Sequence, residues 1–157
     1  MNADEAKENT TNDKRLLLNR WGEDVITAGW SGVPSILFKF QNRLGLSNNH
    51  LVILLQLLDH WIGPNGEIRP EIKTIANRMS LSVSRTRFLI AELESLGFLE
   101  RKSRYENKKQ LANLYSLDGL VKKLQTFGPE LREDREYKAK LEKRKNPRAV
   151  KKEKGPT

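Results

Sequence analysis

Ile75-Ala76-Asn77-Arg78-Met79-Ser80-Leu81-Ser82-Val83-Ser84-Arg85-Thr86-Arg87 carries two helices and the joint between them. Upstream, Pro70 suits a helix start, and Ile72, Ile75, Ala76 and Met79 share one face of a helix over 70–79. Ser80-Leu81-Ser82 is a tight connection. Ser82 then caps a second helix over 83–96, with Thr86, Leu89, Ile90, Leu93 and Leu96 as its inner stripe and Gly97 as its stop. Downstream, 98–104 and 111–117 read as two strands around a polar, basic link, Tyr105–Gln110.

Further helices flank this block. Lys14–Ala28 has Leu17, Trp21, Val25 and Ile26 at helical spacing, and 34–44 has Ile36, Leu37, Phe40 and Leu44 before a Gly45 stop. Ser47 caps a helix over 48–61. Its run Leu51–Leu58 is apolar nearly all round, which marks the central core helix. Gly63–Gly66 is a turn, and Glu67–Arg69 reads as a very short strand. Asp118 caps a helix over 119–126. Gly128-Pro129 is expected to break it before a charged helix over 130–145.

The organisation expected is a disordered lead at 1–13, a helical extension at 14–46, a core domain at 47–126, and a basic helix and tail at 127–157. Short helix, three-residue turn, second helix and hairpin is the order of a winged helix-turn-helix, so the fold class is mainly α with a small β-hairpin wing. In that architecture the second helix projects its first turns into a major groove.

The chain has 157 residues with 29 Lys+Arg against 20 Asp+Glu, a net charge of +9. Residues 131–157 hold 11 of the basic and 5 of the acidic residues. A balance this basic points to a polyanionic partner, with nucleic acid first. There is no cysteine, which excludes disulfides, thiol catalysis and thiolate metal sites. His50 and His60 alone make an imidazole metal site improbable. No nucleophile–base pair, phosphate loop or cofactor signature is present, so an enzyme and a cofactor are not expected. The longest apolar run is far too short for a membrane span of ~20 residues. A cytoplasmic protein without a small-molecule ligand is expected.

The stretches Ile75–Ser82 and Glu92–Lys102 resemble the winged helix-turn-helix domains of bacterial, phage and plasmid proteins, and Asn113–Leu117 is similar to their wing-exit pattern. Trp21, Val25, Gly29-Trp30, Val33-Pro34 and the helix ending His60-Trp61 resemble one branch of that family. The resemblance spans roughly residues 15–125 and implies DNA binding. One departure stands out. The family commonly has Thr then Val where this chain has Arg85 and Thr86, and two registers of the helix start, one residue apart, stay open.

Candidate contacts to double-stranded DNA follow. Ser82, Val83, Ser84, Arg85 and Arg87 open the second helix, and an Arg can read guanine through O6 and N7. Arg101, Lys102, Arg104, Lys108 and Lys109 decorate the wing, where they would meet phosphates. Arg69 and Lys73 flank the start of the first helix. Trp21, Trp30, Phe38, Phe40 and Trp61 are expected in the core or a dimer interface, and a homodimer is expected. Three functions fit: a sequence-specific transcriptional regulator first, then a replication initiation protein of phage or plasmid type, then a protein-interaction module.

Overall fold

The structure, a computed structural model, describes residues 15–61, 67–106 and 109–145. The expected lead, the 63–66 turn and the last part of the tail lie outside them. The chain packs as two units, Met1–Val33 and Pro34–Thr157. The stretch expected as one extension, 14–46, is thus divided between them.

In the first unit the single helix expected over 14–28 is two. Helix α1 (15–21) ends at Gly22, whose φ of 82° interrupts the helical path, and α2 follows (Glu23–Ala28). Two such short helices enclose little, and α2 buries none of its residues. Trp21 and Trp30 are 51% and 52% exposed, their rings 6.1 Å apart and tilted by 51°. They are not core residues, contrary to one of the two roles expected for them.

The second unit begins with α3 (Ser35–Lys39), shorter than the expected 34–44 because the chain passes into turns at Phe40. Helix α4 (Asn48–Asp59) is capped at Ser47 by a reciprocal box. The His50 N–H donates to Ser47 Oγ (3.2 Å), and the Ser47 N–H donates to His50 Nδ1 (3.4 Å). Its other ring nitrogen faces Glu92 Oε2 at 3.3 Å, so His50 has a structural role that ties α4 to the second helix of the motif. Ile53, Leu54 and Leu57 of α4 are fully buried, but Val52 is exposed and Leu51, Leu55 and Leu58 are half-buried, so the apolar run is covered on one side and not nearly all round as expected.

Ile68 forms a one-residue bridge to Tyr115, and helices α5 (Ile72–Arg78) and α6 (Val83–Ser95) follow. Two helix ends and the turns after α3 close the same way: Leu81, Phe98 and Leu46 each donate their N–H five residues back, to Ala76, Leu93 and Gln41. The residue before each is left-handed. Two are glycines, but in the helix-turn-helix joint it is Ser80, at φ 53°. Helix α6 is fixed at its start by Ser82 Oγ, which accepts the Arg85 N–H at 3.1 Å. Thr86 is buried, its hydroxyl donating to the Ser82 carbonyl at 3.1 Å. This settles the register left open by the sequence. Leu96, expected on the inner stripe, is instead 45% exposed, since the helix has ended at Ser95.

The hairpin is mixed rather than two long strands. Strands β1 (Glu100–Lys102) and β4 (Leu114–Ser116) pair antiparallel with Arg101 opposite Tyr115, while β2 (Tyr105–Glu106) and β3 (Lys109–Gln110) pair beyond them. The order helix, bridge strand, helix, helix, strand, wing, strand is that of a winged helix.

Helix α7 (Asp118–Lys145) runs through Gly128-Pro129, which corrects the expected break. Proline removes one internal hydrogen bond and crowds the preceding turn, which favours ending a helix. Packing on both sides of the proline opposes that. Before it, Phe127 stacks on Phe40 with centroids 4.6 Å apart. After it, Glu130 accepts two hydrogen bonds from Arg43 Nη1, at 2.6 and 2.9 Å. The Arg43 guanidinium lies 4.9 Å from the centroids of both rings, closing the clasp. At its start α7 approaches the turn before β1 so closely that a Cβ on Gly119 would run into the Gly97 carbonyl, and the Leu120 N–H donates to Phe98 O at 2.8 Å.

Candidate nucleic-acid interface

The register of α6 decides which side chains face outward. Thr86, Leu89, Ile90 and Leu93 are buried against α4 and α5, so the helical period turns Ser84, Arg85 and Arg87 away from the core. All three are exposed, and Val83 is half-buried. Ser82 is exposed but its hydroxyl oxygen is engaged by the cap, which leaves its O–H to offer. The Arg85 guanidinium lies 5.1 Å from the centroid of the Phe88 ring.

A cleft of about 810 Å³ separates the start of α5 and α6 from the hairpin. Lys73, Arg87 and Arg101 line it, together with Glu71, Glu94 and Asn113. Lys73 is exposed in the first turn of α5. Arg69 is exposed beside Ile68 and forms an ion pair with Glu67.

Arg101 is placed differently from a free phosphate ligand. Its Nε donates to Glu94 Oε2 at 2.7 Å and its backbone N–H to Oε1 at 3.0 Å. The pair joins α6 to β1. Chiefly through the Arg101 side-chain hydrogen bond, it holds the Glu94 carboxyl below the usual carboxylate range. Tyr115, opposite Arg101, is buried, and burial pushes its phenol above the ordinary value. Lys102 is exposed on β1, and Arg104 is half-buried, with its carbonyl accepting the Leu111 N–H at 2.9 Å. Lys109 is placed by its backbone, opposite Glu106, and Lys108 lies outside the described residues.

Sequence reasoning missed three features. The Glu94–Arg101 brace joins residues seven apart across a helix end, where no periodic signal links them. The clasp of Arg43 on α7 spans 87 residues. The third is Phe88, 53% exposed on the outer face of α6, which a helical wheel of 83–96 would have shown. Among the described residues no group of three or more His, Asp or Glu side chains could hold a metal ion, and no helix is long and apolar enough to cross a membrane.

A short-turned helix pair, a capped outward-facing second helix and a hairpin beside it define a winged helix-turn-helix protein. The DnaD N-terminal domain family matches residues 33–136, and the chain belongs to it. The match begins at Val33, one residue before the second compact unit. No curated protein matches the chain. Among solved structures the chain is similar to the YusO protein from Bacillus subtilis, at 17% identity over 91% of this chain and 99% of that one, with a TM-score of 0.38. It is also similar to the disulfide-formed AbfR, at 17% identity over 96% and 97% of the two chains and a TM-score of 0.39. NMB1585, a MarR family regulator from Neisseria meningitidis, is similar at 18% identity over 79% and 76%, with a TM-score of 0.36.

Proposed function

We propose that the chain binds duplex DNA, with the first turns of α6 in the major groove and the 98–117 hairpin along the backbone. The observation that carries this reading is the outward set Ser84, Arg85 and Arg87 on a helix whose opposite side is wholly buried. Lys73, exposed on the wall of the cleft, and Lys102, exposed on β1, are available to phosphates beside that helix. Membership of the DnaD N-terminal domain family, which is replication-related, favours a role at origin DNA over transcriptional regulation.

The protein acts as a homodimer in this reading. Leu16, Trp21, Val25 and Trp30 all stand exposed in the first unit, and the neighbouring exposed rings of Trp21 and Trp30 suit an association surface. A two-fold dimer matches paired half-sites.

The test is the salt dependence of duplex binding. About four to six phosphate contacts give a log–log slope of roughly -4 to -5, because each displaces condensed counterions. A flat response overturns the reading.

A further inference from the structure

The outermost lane of α6 is uncharged. Ser84, Phe88, Ala91 and Ser95 follow one another at intervals of four, three and four residues, all exposed and opposite the buried Thr86, Leu89, Ile90 and Leu93. At about 100° per residue, Arg85 stands on one flank of this lane and Arg87 on the other. An exposed Phe in the middle of a helix loses the stabilisation that burial would give it, and Phe88 packs into no core. Its ring has the Arg85 guanidinium beside it at 5.1 Å, a contact that keeps both side chains at one point of the helix.

An uncharged lane between two arginines fits one surface well, the floor of a major groove between two rows of phosphates. On that floor thymine presents a methyl group, and Phe and Ala are among the side chains that meet it. We propose that Phe88, with Ala91 one turn on, reads thymine through its C5-methyl, next to the base met by Arg85. The proposal rests on the duplex-binding reading above. It assigns the sequence selectivity of α6 to an apolar contact as well as to its arginines.

The experiment uses the full chain and the duplex enriched by selection from random sequence. That duplex is synthesised twice, with thymine and with deoxyuridine at the same positions. The protein should bind the uracil duplex about three- to fivefold more weakly, the size expected of one buried methyl group. Phe88→Ala should bind both duplexes equally weakly and keep the parent salt slope, since no phosphate contact is lost. Phe88→Leu, which retains an apolar side chain, should keep part of the discrimination and so guards against a misfolded alanine variant.

Salt-dependent binding that ignores the methyl overturns the assignment to Phe88 and leaves duplex binding standing. Absence of salt-dependent binding overturns both. If Phe88→Ala weakens self-association while both duplexes are bound as before, the lane is a protein contact and the proposal falls.

Discussion

Arg85 and Arg87 lie two residues apart on α6 and have different surroundings. Arg85 has Phe88 beside it, whereas Arg87 lines the cleft facing the hairpin. Arg85→Ala or Arg87→Ala should cost about 1–3 kcal/mol at the preferred site and relax selectivity at one base position. Lys108→Ala with Lys109→Ala should weaken all sequences alike and flatten the salt slope by roughly 1–2 units. Site selection repeated on each variant separates the two behaviours. If the lysine variant changes the motif and neither arginine variant does, the hairpin is the reader. The turns of helix that carry these arginines were legible in the sequence, to within one residue of register, because Ser82, Thr86 and the apolar period are local signals. Arg101 was not, because its partner Glu94 belongs to another element.

At the scale of elements, the hairpin hangs on α6 through the Glu94–Arg101 brace. The native Glu94 carboxyl titrates below its unfolded value of about 4.3. Its stabilising contribution is therefore complete above that value and lost as pH falls through the depressed native one. Both side chains are about a third exposed, at 29% and 33%, so solvent screening keeps the contribution modest. Urea unfolding midpoints measured from neutral to acid pH should fall less steeply for Glu94→Gln than for the parent. Equal slopes would show that the brace does not link protonation to folding.

The two glycines of α7 differ in what a methyl group would meet. At Gly128 a Cβ has open space except toward its chain neighbour Pro129, whose ring crowds a helical residue that carries a Cβ, so the usual helix gain of roughly 0.5–1 kcal/mol is offset and Gly128→Ala should melt close to the parent. Gly119→Ala forces α7 off the turn before β1 and should destabilise by clearly more than roughly 1 kcal/mol. Thermal melting of the two variants checks both. The break expected at Gly128-Pro129 misread α7 for a definable reason. Local propensity at that dipeptide favours a stop, and Phe40 and Arg43, almost 90 residues away in sequence, hold the helix on both sides of it. Distant packing of that kind leaves no mark within a window of neighbouring residues.

For the whole molecule, a third of the excess charge lies in the last twelve residues. Residues 146–157 carry four basic and one acidic residue. Deleting them leaves α7 whole and should lower affinity for all duplexes alike without changing the preferred sequence, as repeated site selection would show. A changed motif would make that segment part of the reader. The winged helix itself was legible from caps, periods and one short joint. Two things were not. The division at Val33 depends on which helices touch. The exposure of Trp21 and Trp30 depends on how little surface the short helices near them provide.

That exposure gives the molecule an unusual optical division. All three of its tryptophans are between 40% and 52% exposed, and none sits in the core built by α4, α5 and α6. Their emission therefore reports the polarity of the protein's outer surface. The buried aromatic at the centre of the sheet is a tyrosine, Tyr115. A shift of the tryptophan band to the blue at constant tyrosine absorbance would record surfaces meeting, of two copies or of protein and partner. With Tyr105 and Tyr137 already 68% and 64% exposed, a change in tyrosine absorbance on unfolding would come from Tyr115, so one cuvette distinguishes association from unfolding without a label.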